Sequence, residues 1–440
     1  MLVSDFLCTS CIPPAYTDAE NEAKKRRKVP ENLETLAIIT GKSFVCFGGE
    51  DWWYHHPHSK NHLMRRFARA GNRVIFVNSI SMGLPGFGHK DLLPRVARKL
   101  RSYAKLARRT EEGITVVSPA ILPFFGSRAS RAANRLLLRV QLRALMRLRG
   151  LSEPVLWVAI PTAAEMIGEL GESLVVYHVS DKYDENHMDH ATDPEAIRRL
   201  HRLAIERADL IFYSGRKLLA ESDEAARPRS HLLEQAVDFD HWSRAGAKGA
   251  LALTVAPEIE SIPRPRLGYF GAVEPWLVDQ ELVRRAARER PRWQWVFIGN
   301  KSRGLEIEGL PNVHFLPPVS YEELPRYAAG FDVCVLPWET ERAFTSYGSA
   351  IKVREYLATG KPVVISPLPE YEHLSHVLRI ARSREDFLRL VEDALEEKGD
   401  EGARARQASV MDGTWDARAE WVSKLIEEAL AAKKAVNRES

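Results

Sequence analysis

Cysteine is scarce in this chain, with four residues in 440. Cys8-Thr-Ser-Cys11 has the spacing of a metal or redox pair, but no second pair exists to complete a zinc site. It reads as an incidental pair in a loose N-terminus. Cys46 and Cys334 lie in apolar, strand-like runs and read as small core residues. A disulfide framework is excluded, and this usage suits a reducing cytosol. Long apolar runs are missing too, so nothing reaches the roughly 20 residues of a membrane span. A signal-peptide order is also absent, because the basic run Lys24 to Lys28 follows the apolar part instead of preceding it. The expected location is cytoplasmic, with peripheral association at the inner face of the plasma membrane as an extension. Two nucleotide fingerprints are lacking. Thr40-Gly41-Lys42-Ser43 has the last residues of a P-loop, but Leu36 stands where the first glycine is needed and a strand-like run follows. Gly48-Gly49-Glu50-Asp51-Trp52 lacks the G-x-G-x-x-G spacing.

At 440 residues, two or three domains are expected, and 45% apolar residues are enough for real cores. The net charge of +4 is small but unevenly spread. Between Lys90 and Arg149 there are 15 basic residues and only three acidic ones. Such a field attracts phosphate-bearing surfaces. Arg131, Arg135, Arg139, Arg143 and Arg147 recur every four residues on a long helix expected over 130–148. They form a basic stripe, set against Leu136, Leu137, Val140, Leu145 and Leu148 as the apolar face. A solvated face and docking on an anionic membrane are both open readings. Nucleic acid is not expected, since none of the usual reader motifs is present.

From Ser43 onward, short continuous apolar runs alternate with helical stretches, which indicates a parallel sheet covered on both faces. The pattern lapses into Ala, Gly and Pro around 245–266 and then restarts. The expected fold class is α/β, with two doubly wound, Rossmann-like domains and a cleft between them. The expected boundaries are a poorly ordered extension over 1–40, a first domain over 41–248, a linker over 249–265, a second domain over 266–412 and a final helical segment over 413–440.

The most informative segment runs from Ser349 to Ser366. It reads as a helix, a glycine stop and a buried strand. Lys352 and Glu355 lie three apart and share one helical face near its start. A helix start offers free N–H groups and a positive dipole end, so an added lysine makes an anion site. A carboxylate one turn on can take the hydroxyls of a ribose. Gly271 and Glu274, Gly299, Pro337 with Trp338, and Tyr347 with Ser349 follow strand ends and would rim the same pocket. In the first half, Asp181 falls where a strand meets a loop, making it a candidate general base. Gly48, Gly49, Trp52, His56 and His58 sit after the first strand, where an acceptor would enter. A plain strand-to-helix turn and an aromatic cluster are equally good readings of those five. His55, His56 and His58 do not share a face for a metal. Asp184, Glu185, His187 and Asp189 match no oxygen-ligand loop.

These residues resemble a GT-B fold glycosyltransferase of the family-4-like group (group 1), similar to cell-envelope and exopolysaccharide enzymes. The resemblance spans roughly Phe44 to Glu397. It rests on Gly268-Tyr-Phe-Gly-Ala-Val-Glu274, Pro311 to Phe315, Ala329 to Pro337 and above all Lys352 to Val364. It implies that Lys352 contacts the donor diphosphate, that Glu355 binds the ribose and that the closing helix, Trp415 to Lys433, packs back on the first domain. Gln235-Ala-Val-Asp238 resembles the family's N-G-V-D turn. The chain departs from the family at Tyr347, where a second glutamate often stands, and at Glu274-Pro-Trp-Leu, where an Arg/Lys pair is usual. An inverting subgroup uses an N-domain aspartate as base, and Asp181 is placed similarly. The implied activity is transfer from a nucleotide-sugar donor, expected to be a UDP-sugar, to a lipid-linked or polysaccharide hydroxyl. No cofactor and no metal are required on this reading. A sugar-nucleotide epimerase and a non-catalytic, transferase-like scaffold are the alternatives.

Overall fold

The computed structural model describes residues 37–53, 56–79, 107–122, 128–183, 194–341 and 343–439. Cys8, Cys11, His55, the Lys90–Lys105 stretch, Asp184, Glu185, His187 and Asp189 lie outside them. The first sheet contains β1 (Ser43–Phe47), β2 (Arg73–Val77), β3 (Ala107–Arg109), β4 (Thr115–Val117), β5 (Val155–Val158), β6 (Leu174–Val179), β7 (Leu210–Tyr213) and β8 (Ser230–Leu232), in spatial order β3-β4-β2-β1-β5-β6-β7-β8. Every pairing is parallel except that of β3 with β4. The second sheet contains β9 (Arg266–Phe270), β10 (Gln294–Ile298), β11 (Val313–Leu316), β12 (Val333–Leu336), β13 (Val363–Ile365) and β14 (Arg379–Ile380), in order β11-β10-β9-β12-β13-β14 and parallel throughout.

The central strands are buried on both faces because each is a run of apolar residues. Helix α1 (Ser59–Arg69) covers one face of the first sheet. Helix α2 (Arg128–Arg149), helix α3 (Pro194–Arg207) and the short α4 (Arg216–Ala220) lie on the other. After β8 the chain turns through α5 (Phe239–Ser243), whose Trp242 belongs to the core of the second sheet. Helix α6 (Ile351–Thr359) follows β12, and α7 (Trp415–Glu439) closes the chain. Trp415, Ala419, Val422 and Ile426 of α7 pack with Phe44 and Trp157 of the first sheet and with Phe67 of α1. The last helix thus returns to the first half.

Helix α2 presents a different face from the one the arginine spacing indicates. Its buried stripe is Asn134, Leu138, Leu142 and Met146. Leu136, Leu137, Val140 and Leu148, expected on the buried side, are exposed by 50%, 40%, 58% and 82%. Only Leu145 of the expected set packs partly against the core. The arginines lie one position beyond the buried stripe, and several are anchored. Arg131 pairs with Glu165 at 3.5 Å, and Arg135 and Arg139 with Glu169 at 3.5 and 3.1 Å. An unforeseen turn over Pro161–Met166, which precedes Glu169, packs between α2 and the sheet and supplies Glu165.

The two halves meet at a charged knot. The Arg66 guanidinium of α1 pairs with Asp238, at the start of α5, and reaches Asp416 of α7 at 3.3 Å. His62 Nδ1 lies 3.4 Å from Asp238 Oδ2, and its ring stacks on Trp415 at 4.8 Å. Tyr321, before the helix Leu324–Ala329, donates its hydroxyl to Asp238 Oδ2 at 3.3 Å and accepts the Trp242 indole N–H at 3.0 Å. Burial alone would raise the Asp238 pKa. The hydrogen bond from His62 and the Arg66 charge outweigh it and hold the carboxyl below its usual range. Its contribution to stability is therefore present above the ordinary carboxylate pKa and is lost on acidification through the lower folded value. Arg66→Ala strands that carboxylate, and a loss of about 3–5 kcal/mol in urea denaturation at neutral pH is expected. A loss below about 1 kcal/mol would show that the knot carries little of the fold.

Candidate active site

Helix α6 begins at Ala350, which offers no side-chain cap, and ends at Gly360 in the left-handed region with φ 73°. Its first turn holds no acid and does hold Lys352. A cation at an uncapped helix start is unfavourable by itself, because it faces the positive end of the dipole. An anion bound there would satisfy both the free N–H groups and the lysine. The Lys352 ammonium is fixed over this spot. It donates to the Tyr269 hydroxyl at 3.2 Å and lies over the rings of Tyr269 and Trp338, at 4.5 and 5.4 Å from their centroids. A Cβ on Gly271 would come within 2.4 Å of Lys352 Nζ, and one on Gly299 within 2.2 Å of the Gly271 carbonyl oxygen. Both glycines have positive φ. The ends of β9 and β10 can converge beneath the lysine only without side chains there.

Glu355, one turn on, is 3% exposed. Burial lifts its carboxyl to about 8, against the opposing pull of Lys352 and of hydrogen bonds from Tyr321 and Trp242; the Asp238 charge adds to the rise. Burial thus biases the Glu355 carboxyl toward its neutral form, and Tyr321 and Trp242 tie it to the knot between the halves. Ser349 hydrogen-bonds with Tyr371, whose hydroxyl donates to the Ala350 carbonyl at 2.7 Å. Glu274 holds the Ser302 hydroxyl. Pro337 is buried, and its carbonyl accepts the Asp279 N–H at 2.9 Å.

Across the cleft, Asp181 follows β6. Burial lifts its pKa to about 6, while Lys60 and a Ser180 hydrogen bond pull it down. Lys60, in the first turn of α1, forms a buried ion pair with Glu50 at 3.0 Å. Nothing in the sequence pattern singled out either residue. The first-strand loop is largely committed to packing. A Cβ on Gly48 would strike the Phe76 ring at 1.9 Å, and one on Gly49 would strike Ile160 at 2.2 Å. Trp52 is buried edge-on against Phe76, with Arg65 over its ring. His58 is the N-cap of α1, and its backbone N–H donates to Asn61 Oδ1 at 2.9 Å. His56 Nε2 bonds the Val319 carbonyl of the second half at 2.8 Å.

Tyr347 also crosses between the halves. Its hydroxyl donates to the Glu221 carboxylate at 2.8 and 2.9 Å. Its ring faces the ammonium groups of Lys217 and Lys182, at 3.9 and 4.9 Å. Lys217 also donates to Ser346 at 2.9 Å. Gly271, Gly299, Lys352 and Glu355 thus gather at one helix start, Asp181 stands at the end of β6 in the first half, and Tyr347 spans between the halves. Among the described residues, no group of three or more His, Cys, Asp or Glu side chains is arranged to hold a metal ion.

Comparison with known proteins agrees with this geometry. Residues 264–397 match the family described as glycosyl transferases group 1. TuaH of Bacillus subtilis (strain 168), which carries the name of a teichuronic acid biosynthesis glycosyltransferase, is 28% identical over 226 residues, or 47% of this chain and 53% of that protein. The match thus spans about half the length of that relative. Sucrose-phosphate synthase from Thermosynechococcus elongatus superposes with a TM-score of 0.61 at 14% identity, over 89% of this chain and 99% of that one. HepE of Anabaena, solved in complex with UDP and glucose, gives 0.58 at 12% identity, over 89% and 100%. The catalytic domain of starch synthase IV from Arabidopsis thaliana, bound to ADP and acarbose, gives 0.56 at 10% identity, over 90% and 100%. The chain has the GT-B fold, and within its second half residues 264–397 are similar to the group 1 glycosyl transferases.

The neutral state of Glu355 has a direct test. Glu355→Gln keeps a donor and an acceptor at that position, so calorimetric titration with UDP should change by less than about threefold. Glu355→Leu removes both, and a loss of about 1–3 kcal/mol is expected. Equal loss in both variants would show that the ionised carboxylate is what the ligand needs.

Proposed function

We propose that this protein is a glycosyltransferase that moves a sugar from a nucleoside diphosphate donor, expected to be a UDP-sugar, to a hydroxyl of a lipid-linked or polysaccharide acceptor. The observation that carries the reading is Lys352, held over Gly271 at an uncapped helix start. In an inverting transfer, the acceptor oxygen attacks the anomeric carbon and the bond from that carbon to the diphosphate oxygen breaks. The acceptor's proton passes to Asp181. Negative charge grows on the departing diphosphate, and Lys352 with the α6 N–H groups stabilises it where it develops. These groups supply the positive charge that a metal ion would otherwise bring, so transfer is proposed to need no metal. The neutral Glu355 carboxyl would hold the ribose hydroxyls.

Lys352→Ala should lower kcat by about 100-fold or more, with little change in melting temperature, because the residue is only half-buried. Transfer at the wild-type rate by that variant would sink the assignment. The pH profile carries a sign. Asp181 can accept a proton only when ionised, so kcat/KM should rise with pH through a midpoint near 6 and then level off. Asp181→Asn should remove both the activity and that limb. A flat profile from pH 5 to 8 would exclude Asp181 as the base.

The acceptor class is supported by α2. Leu136, Val140, Ala144 and Leu148 recur every four residues on its outer face and are exposed. The arginine stripe lies beside them. An apolar stripe flanked by cations fits the interface of an anionic bilayer. No helix among the described residues is long and apolar enough to cross a membrane. Flotation with phosphatidylglycerol vesicles should show binding that weakens with salt, and Val140→Asp combined with Leu148→Asp should abolish it. Equal binding to neutral phosphatidylcholine vesicles would argue against the basic stripe.

A further inference from the structure

A cavity of about 110 Å³ lies in the first half, beyond the ends of β6 and β7 and between α3 and α4. Its walls are apolar: Val179, Ile197, Ile205 and Leu218, with the rings of Tyr183 and Tyr213. Asp181 opens onto it, and Lys182, Arg198, His201, Glu221, Ser222 and Asp223 complete its polar lining. A water occupies about 10–15 Å³ on this measure, so the space takes roughly seven to eleven waters, on the order of one sugar ring. Ser222 Oγ is buried at this wall and has no hydrogen-bond partner among the described residues. A buried hydroxyl left in that state costs stability unless a ligand meets it.

We propose that this cavity is the acceptor subsite and holds one neutral sugar ring, an inference that rests on the transferase function above. Three features select that ligand. The first is position. Glu221 lines the cavity and accepts the hydroxyl of Tyr347, while Lys182 lines it and faces the same tyrosine ring. Tyr347 comes from the loop that leads into α6, so the donor half reaches the edge of the cavity. A ring seated there has Asp181 beside it and Tyr347 of the second half at its edge. The second is surface chemistry. Aliphatic and aromatic walls suit the C–H faces of a pyranose, while a few convergent polar groups fix its orientation. Carboxylates also accept hydrogen bonds from hydroxyls strongly. The third is charge. Asp181, Glu221 and Asp223 outnumber Lys182 and Arg198, and the histidine of the lining, His201, is hydrogen-bonded with the Tyr177 hydroxyl at 2.7 Å. A phosphate or a uronate placed here meets net repulsion, and an uncharged polyol does not. The acceptor's sugar therefore sits at β6 and β7, away from the first-strand loop of Gly48 to His58, which packing already occupies.

The test uses the full chain and two probes, octyl β-glucopyranoside and octyl β-glucuronide, followed by saturation-transfer NMR with UDP present. UDP binding is measured separately by calorimetry. The neutral glycoside should bind at least about tenfold more tightly than the glucuronide. Leu218→Trp and Ile197→Phe, which fill the cavity from α4 and α3, should each weaken glycoside binding about tenfold or more and leave UDP affinity within about twofold. Leu218→Ile should behave as wild type. Two results overturn the proposal while UDP still binds: unchanged glycoside binding in both filled variants, or preference for the glucuronide. Absence of glycoside binding to the wild-type protein overturns it as well. Glycoside binding that the filled variants lose, in a protein that binds no UDP, would keep the sugar site and remove the transferase reading instead.

Discussion

The relation between the two halves depends on one half-buried carboxylate. Asp238 lies where the chain leaves the first sheet, and its charge is met by Arg66 and His62 of α1 and by Tyr321 of the second half. A carboxylate this enclosed is tolerable only while those partners stay in place. They come from both halves, and Asp416 on the returning helix shares Arg66. The knot therefore fixes how the second sheet stands against the first. It also touches the site, because Tyr321 and Trp242 face the Glu355 carboxyl as well. The junction therefore bears on the surroundings of Glu355.

The two sides of the cleft are built by different means. The second half carries its charge on a helix start, with glycines removed from the space above it, and little of that geometry needs the first half. The side of Asp181 is assembled from parts distant in sequence: a strand end, the buried Glu50–Lys60 pair near α1, and two helices that leave an apolar hollow. Tyr347 joins the sides. At a position where the resemblance leads one to expect a carboxylate facing the donor, the tyrosine reaches Glu221 and two lysines of the first half. Its ring and hydroxyl serve contact between the halves, and Lys352 is left as the charged group nearest the helix start.

The legible parts of the sequence were those governed by local rules. Apolar runs separated by helical stretches gave both parallel sheets, and Gly360 after Thr359 gave the end of α6. Lys352 and Glu355 share a helical face because they lie three residues apart, whatever surrounds them. Where a choice depended on a neighbour, the pattern did not contain it. The leucines of α2 occupy two faces, and only the placement of the Pro161–Met166 turn and the sheet selects Leu138, Leu142 and Met146 for burial. Gly48, Gly49 and Trp52 follow a strand end, as cleft residues do, yet Phe76 and Ile160 claim the space beside them.

By itself, then, the sequence determined the two α/β halves, the helix start with its lysine, and the strand end that carries Asp181. Each follows from periodicity or spacing within about a dozen residues. The tertiary structure decided which side of each element meets the core, which carboxyls are forced toward neutrality, and what Tyr347 and His56 touch. Burial and long-range charge set those outcomes, and both depend on residues hundreds of positions apart that only the folded chain brings together.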